Sequence, residues 1–311
     1  MRSQYRRSLS SALVALTLGA VTLVGAPPGA AATPDGTSGP VIYDGGTWYI
    51  RTTPTSGPAN LKFSFGRFNN VRDLPVVGDW NGDGSETVGI ARIGPPGDFP
   101  GTFTWHLRNS NSSGPADISF EFGVPALTDT LRGHPIVGNF DPSDDAYEVG
   151  YVIAGDTGQL VWTIRLNTTP NSPEVTFTYG RAETDAPIVG DWDGDGVDTA
   201  GVLRGNQWLL TNAQRQGGSA QTVFAYGTTN PAIPEFAVSG DWNGDGADTP
   251  GLLRNSPPTE RSGGYENWLI TNENATGAAD ATFRYGSDAF PIETEEQGSL
   301  LFLPRLTIEV T

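Results

Sequence analysis

Ile188-Val-Gly-Asp-Trp-Asp-Gly-Asp-Gly-Val-Asp-Thr199 returns in close copies at Val76 to Thr87 and Val238 to Thr249, and in altered form at Ile136 to Glu148. A string that returns along a chain marks a structural unit used several times, and acids alternating with glycines mark a tight loop within it. Other strings return in step. A tryptophan strand begins at Thr47-Trp48, Thr104-Trp105, Val161-Trp162, Gln207-Trp208 and Asn267-Trp268. An aromatic strand end follows each: Phe63 to Gly66, Phe120 to Gly123, Phe177 to Gly180, Phe224 to Gly227 and Phe283 to Gly286. Between the acidic loop and the tryptophan strand lies a glycine-centred apolar string, at Val88 to Ala91, Val149 to Val152, Ala200 to Leu203 and Pro250 to Leu253.

Each unit therefore reads as four short strands, and alternation in the last two places Trp with Leu, or Phe with Tyr, on one face. A four-stranded sheet repeated every 50 or so residues is a propeller blade. The chain is expected to be all-β, a β-propeller of five four-stranded blades closed by N- and C-terminal strands. Complete blades are expected at about 75–123, 135–180, 187–227 and 236–286. The segment 41–66 lacks only a first strand, and an apolar segment within 290–311 is expected to supply it, which would remove two open sheet edges.

Residues 1–32 have the parts of a secretory signal: Arg2, Arg6 and Arg7, an apolar run from Ala12 to Val24, and Ala30-Ala31-Ala32. Residues 33–311 are then a single exported domain, with no transmembrane segment once the signal is removed. Its removal takes the formal charge from −17 to −20, since the segment carries three arginines and no acid. So acidic a surface excludes nucleic acid as a partner. The chain has no cysteine, so an exported fold must rest on its core, its closure or bound metal.

The repeated loops offer such a metal site. Ca²⁺ takes six to eight oxygens, and alternate positions of a tight loop converge on one point when glycine permits the turn. The candidates are Asp79, Asn81 and Asp83 before Gly84; Asp191, Asp193 and Asp195 before Gly196; and Asp241, Asn243 and Asp245 before Gly246. The seventh residues, Ser85, Val197 and Ala247, could add backbone carbonyls, and the eighth, Glu86, Asp198 and Asp248, could reach the ion directly or through water, or pair with an arginine. Carboxylates this crowded repel unless a cation joins them, whereas Asp and Asn also cap turns with no metal. The altered loop keeps Asn139, Asp141 and Ser143 but has Asp144 where glycine belongs, and is expected to bind weakly or not at all.

With these strings in register, the chain resembles the FG-GAP/VCBS-type repeats of secreted bacterial proteins over nearly all of residues 41–286. The resemblance implies a propeller with calcium in its loops, used for adhesion, carbohydrate binding or scaffolding, often beside a separate catalytic domain. Such repeats usually carry aspartate at loop position nine, where this chain has Thr87, Thr199 and Thr249.

The strand tryptophans read as packing between blades, while Trp80, Trp192 and Trp242 in the loops could equally stack on sugar rings. Catalysis has little in its favour: His106 and His134 lie in no recognisable constellation, and the repeated acids are spread around a ring instead of converging in a pair. The expectation is a secreted, monomeric, non-catalytic, calcium-binding module for carbohydrate or a cell-surface protein. A glycoside-active propeller and a purely structural envelope protein are the alternatives. If the function is recognition, it is expected in the connections the repeat does not explain, Gly94 to Gly101, Val124 to His134 and Asn255 to Glu266, which could equally be tolerated length variation.

Overall fold

The structure, a computed structural model, describes the backbone of residues 15–17 and 20–24, and residues 37–68, 70, 72–94, 102–123, 133–169, 172–213, 217–230, 233, 235–255 and 266–285. It is an all-β propeller of five blades, and no described residue is helical. Blade 2 comprises Asp73–Gly78, Thr87–Ile93, Phe103–Leu107 and Ile118–Phe122; blade 3, His134–Gly138, Glu148–Ala154, Gln159–Arg165 and Glu174–Arg181. Blade 4 comprises Asp185–Gly190, Thr199–Arg204, Gln207–Leu210 and Thr222–Ala225; blade 5, Glu235–Gly240, Thr249–Asn255, Glu266–Ile270 and Ala281–Tyr285. Every neighbouring pair within a blade is antiparallel and consecutive in the chain.

Blade 1 contains Pro40–Asp44, Thr47–Ile50 and Leu61–Ser64. Its innermost place is taken by Ala20–Val24, which pairs with Pro40–Asp44, and Ala15–Thr17 lies beyond. The sequence reading assigned Ala20–Val24 to the export signal and gave this place to the C-terminal segment, residues 290–311, which lie outside the described residues. The vacant edge of Pro40–Asp44 selects only for a short β-forming segment, and Ala-Val-Thr-Leu-Val satisfies that as well as the C-terminal apolar run does.

The apolar core is divided among five seams between blades. Blade 2 packs on blade 3 through Trp105, Phe122, Val137 and Tyr151, and blade 5 packs on blade 1 through Trp268, Tyr285, Ile42 and Tyr49. The remaining seams repeat this arrangement. The five inner strands touch in a closed circuit.

The repeat strings follow from this packing. All five strand tryptophans are fully buried. Each donates its indole N–H to the carbonyl of the last aromatic residue of its blade: Trp48 to Phe65 at 2.8 Å, Trp105 to Phe122 at 3.0 Å, Trp162 to Tyr179 at 2.8 Å, Trp208 to Tyr226 at 3.1 Å and Trp268 to Tyr285 at 3.4 Å. In blades 2 to 5 the tryptophan also stacks on the phenylalanine two residues earlier, with ring planes within 14° of parallel. The Phe-x-Tyr pattern thus pairs a stacking face with a carbonyl acceptor.

The loop tryptophans are buried too, Trp80 and Trp242 at 3% exposure and Trp192 at 7%, so they pack and are closed to sugar rings. Each lies over two glycines of its own blade: a Cβ on Gly78 or Gly89 would come within 2.9 Å of Trp80, and one on Gly190 or Gly201 within 3.0 Å of Trp192. That close approach explains why both strings need glycine. Blade 3 has the smaller Phe140 in this place, also buried.

Candidate metal loops and a cationic cleft

In each acidic loop the first aspartate organises the turn. Asp191 Oδ1 accepts the N–H of Asp195 at 3.1 Å and Oδ2 that of Gly196 at 2.7 Å. Asp79 accepts from Asp83 and Gly84, and Asp241 from Gly244, Asp245 and Gly246. The sixth residue lies in the left-handed region, with φ of 82°, 87° and 95° at Gly84, Gly196 and Gly246. A side chain there is strained.

The three acids of the blade 4 loop converge: Asp191, Asp193 and Asp195 each bring a carboxylate oxygen within 4.8 Å of the others. Burial, opposed by the Gly196 N–H and reinforced by the Asp195 charge, pushes the Asp191 carboxyl up to about 6. A carboxylate in that position is favoured by a cation. The donor set is all oxygen, which suits Ca²⁺ or Mg²⁺ and not a softer metal. In the other two loops the third residue is asparagine, and its amide N–H donates to the fifth, Asn81 to Asp83 at 3.1 Å and Asn243 to Asp245 at 2.9 Å. These loops carry less charge and are the weaker candidates. Val197 and Ala247 donate their N–H groups to Oδ1 of Asp195 and Asp245, and Ser85 is half-buried.

The eighth residues sit elsewhere. Asp198 donates its N–H to the Asn139 carbonyl at 2.8 Å and accepts the Asn139 N–H on Oδ2 at 2.7 Å. Asp248 makes the same two bonds to Asp191, at 2.7 and 2.9 Å. The acid therefore clasps the loop of the preceding blade, 57 or 59 residues away in sequence. Glu86 is buried as completely and is hydrogen-bonded by Tyr147 of blade 3. No arginine pairs with any of the three among the described residues.

In the altered loop, Glu148 replaces the threonine and accepts the N–H groups of Phe140 and Asp141 at 2.7 and 2.9 Å. Asn139 turns its amide outward, onto the Gly196 carbonyl of blade 4. This loop is built as a bracket between blades.

One further feature lies outside the repeat strings. A cleft of about 480 Å³ is lined by Arg67, Asn70, Arg72, Arg92, Thr104 and His106, where the end of blade 1 meets blade 2. Arg92 is engaged at two points by buried Asp73, at 2.6 and 2.9 Å, and its Nη1 lies 2.8 Å from His106 Nε2. Burial, then the charges of Arg92 and Arg67, hold the His106 imidazole below its ordinary range against the pull of Asp73. Arg67 and Arg72 form no ion pair among the described residues. Phe68, beside them, is 84% exposed. The repeat cannot announce such a site because Arg67, Asn70 and Arg72 belong to the connection between blades, although two arginines close together in a chain of net charge −17 are the signal that could have found it. The cleft also borders Gly94, where the first of the non-repeated connections begins. Residues 95–101, 124–132 and 256–265 of these connections lie outside the described residues.

His134 starts the inner strand of blade 3, at the place held by Leu74 and Ala186 in blades 2 and 4. Desolvation lowers its pKa to about 4, so it is neutral at physiological pH. No family model matches the chain, and neither a curated protein nor a solved structure does.

Proposed function

We propose that this chain is a secreted, non-catalytic binding or adhesion module of the FG-GAP/VCBS repeat type, supported by calcium in its acidic loops. Its ligand site is the cleft between blades 1 and 2, and its ligand is an acidic carbohydrate or an acidic segment of a cell-surface protein. The observation that carries this reading is the cleft itself, which presents Arg67 and Arg72 without acidic partners among the described residues, beside exposed Phe68. Arginine suits planar carboxylate and sulfate groups, and an aromatic face beside it suits the apolar face of a sugar or side chain. Asp73, which borders the cleft among the described residues, is held by Arg92 and is in no position to form the carboxylate pair that glycoside hydrolysis uses. Export removes Ala20–Val24 under this reading, so the inner place of blade 1 must pass to another segment.

The test is calorimetric titration with oligosaccharides of one backbone in neutral, uronate and sulfated forms. The acidic forms should bind, weaken as salt rises, and lose at least tenfold in affinity in R67A/R72A. Equal binding of neutral and acidic forms, or an unaffected double variant, would overturn the assignment.

A further inference from the structure

In blades whose antiparallel strands follow one another in order, the turns after the first and third strands open on one face of the ring. The turn after the second strand and the connection to the next blade open on the other. The acidic loops therefore share the first face, and Arg67 and Arg72, which belong to a connection, lie on the second. A further arginine recurs on this second face, near the end of the second strand. Arg92 pairs across with Asp73, Arg204 with Asp185 and Arg254 with Glu235, each at the start of an inner strand. Blade 1 has Asp44 in the arginine's place and blade 3 has Ile153.

In these pairs the acid lies beneath and the arginine above. The Asp73 and Asp185 side chains are wholly buried and that of Glu235 nearly so, while Arg204 and Arg254 are 26% and 32% exposed. Each pair is neutral, yet its cationic end is the one that meets solvent. Arg204 gives Nε and Nη2 to Asp185, at 2.7 and 2.6 Å, and Arg254 gives the same two groups to Glu235. The Nη1 groups of both have no hydrogen-bond partner among the described residues. In blade 2 the Arg92 Nη1 is taken by His106, and Arg67 and Arg72 supply the open cations instead. Among the described residues, the exposed acids in the turns and connections of this face are Asp156 and Glu183, in blade 3 and at its junction with blade 4.

A chain of net charge −17 repels an anion from afar, so an anionic ligand gains only where guanidinium groups stand at the surface. The two-point hold fixes Arg204 and Arg254 before any ligand arrives, so engaging the free edge costs little ordering. These two stand on other blades than the cleft does, and a ligand that meets all of them must be long. We infer that the ligand is an extended polyanion, a polysaccharide bearing carboxylate or sulfate on successive sugars, which crosses this face from the cleft to Arg254 of blade 5 and Arg204 of blade 4. The inference rests on the cleft reading above and extends it from one acidic group to a chain. A stiff sugar chain suits fixed cations on separate blades, whereas a flexible acidic peptide loses backbone freedom at every residue between contacts. Blade 3, with Ile153 in place of arginine and Asp156 exposed, lies off this track.

The test is calorimetric titration of the full chain with a disaccharide and a dodecasaccharide of one sulfated backbone. The dodecasaccharide should bind at least about fiftyfold more tightly, above the roughly tenfold that a choice of positions on a single cleft provides, and with the steeper salt dependence. D185N/R204Q/E235Q/R254Q neutralises both pairs without changing the net charge and should remove most of that advantage. Because those changes reach buried groups, Q207E is the second variant. Gln207 is exposed and directly opposite Arg204, so the added carboxylate should engage the free edge and weaken the dodecasaccharide severalfold. A length advantage of about tenfold or less, folded variants that keep it in full, or a flexible acidic peptide of equal charge bound as tightly, would overturn the inference and leave the cleft reading in place. A dodecasaccharide lost in these variants yet indifferent to R67A/R72A would overturn the cleft reading and keep the arginine face.

Discussion

Replacing Trp208 with phenylalanine tests the lock repeated in every blade. The indole is fully buried, donates to the Tyr226 carbonyl at 3.1 Å and stacks on Phe224 at 6.3 Å with planes 2° from parallel. Phenylalanine keeps a stacking face but removes the donor, leaving a buried carbonyl at a cost of about 1–3 kcal/mol. The smaller ring also leaves a gap, and burial lost at about 25 cal/mol per Å² adds on the order of 1 kcal/mol. The total is about 2–4 kcal/mol, which at ~2–4 °C per kcal/mol for a domain of this size lowers Tm by roughly 4–16 °C. The assay is thermal unfolding followed by far-ultraviolet circular dichroism, with V223A as the control, since Val223 is 56% exposed on the neighbouring strand. W105F should behave as W208F does, because the two sites share one geometry. A W208F protein that melts within about 1 °C of wild type would refute the lock.

Gly201→Ala should cost about 1–3 kcal/mol by overpacking, because the new methyl would lie 2.8 Å from Leu210, 2.9 Å from Ile188 and 3.0 Å from Trp192; urea midpoints measure it. Burial, against the N–H groups of Asp141 and Phe140, raises the Glu148 carboxyl to about 8. A raised acid binds its proton more tightly folded than unfolded, so this contribution is complete below pH 4.5 and is lost as pH rises towards 8. In chelator, E148Q should therefore flatten the fall in urea midpoint between pH 5 and 8, and an unchanged slope would place the effect elsewhere. A chain beginning at Thr33 lacks Ala20–Val24 and should still unfold cooperatively, because blade 5 packs on blade 1 through Ile42 and Tyr49 independently of that strand. Loss of the cooperative transition would make residues 20–24 an obligatory part of the fold.

The blades were legible because their logic is local. A tryptophan, its stacking phenylalanine and the acceptor carbonyl fall within 18 residues of one another, so each repeat records the whole device. The glycines were visible as a pattern, yet their reason was not, since the indole that covers them comes from the loop between the two strands. The partners of the eighth-position acids were hidden for a different reason. Asp198 and Asp248 lie in an acidic loop by sequence, but their partners, Asn139 and Asp191, belong to the previous blade. Spacing within one repeat carries no information about a neighbour brought alongside by closure. The cationic cleft likewise forms only where two blades pack side by side, and the inner strand of blade 1 was expected from residues 290–311 although two apolar segments meet the same modest requirement.

The most direct measurement of the central claim, a propeller supported by calcium in its acidic loops, is thermal unfolding of the chelated chain with and without millimolar Ca²⁺, with Mg²⁺ as control. A site occupied at 100 times its dissociation constant adds about 2.7 kcal/mol. The account predicts a Ca²⁺-selective rise in Tm that shrinks in D193N/D195N, whose acids are exposed and converge with Asp191. A Tm indifferent to Ca²⁺ would contradict it and leave the acidic loops as turn caps.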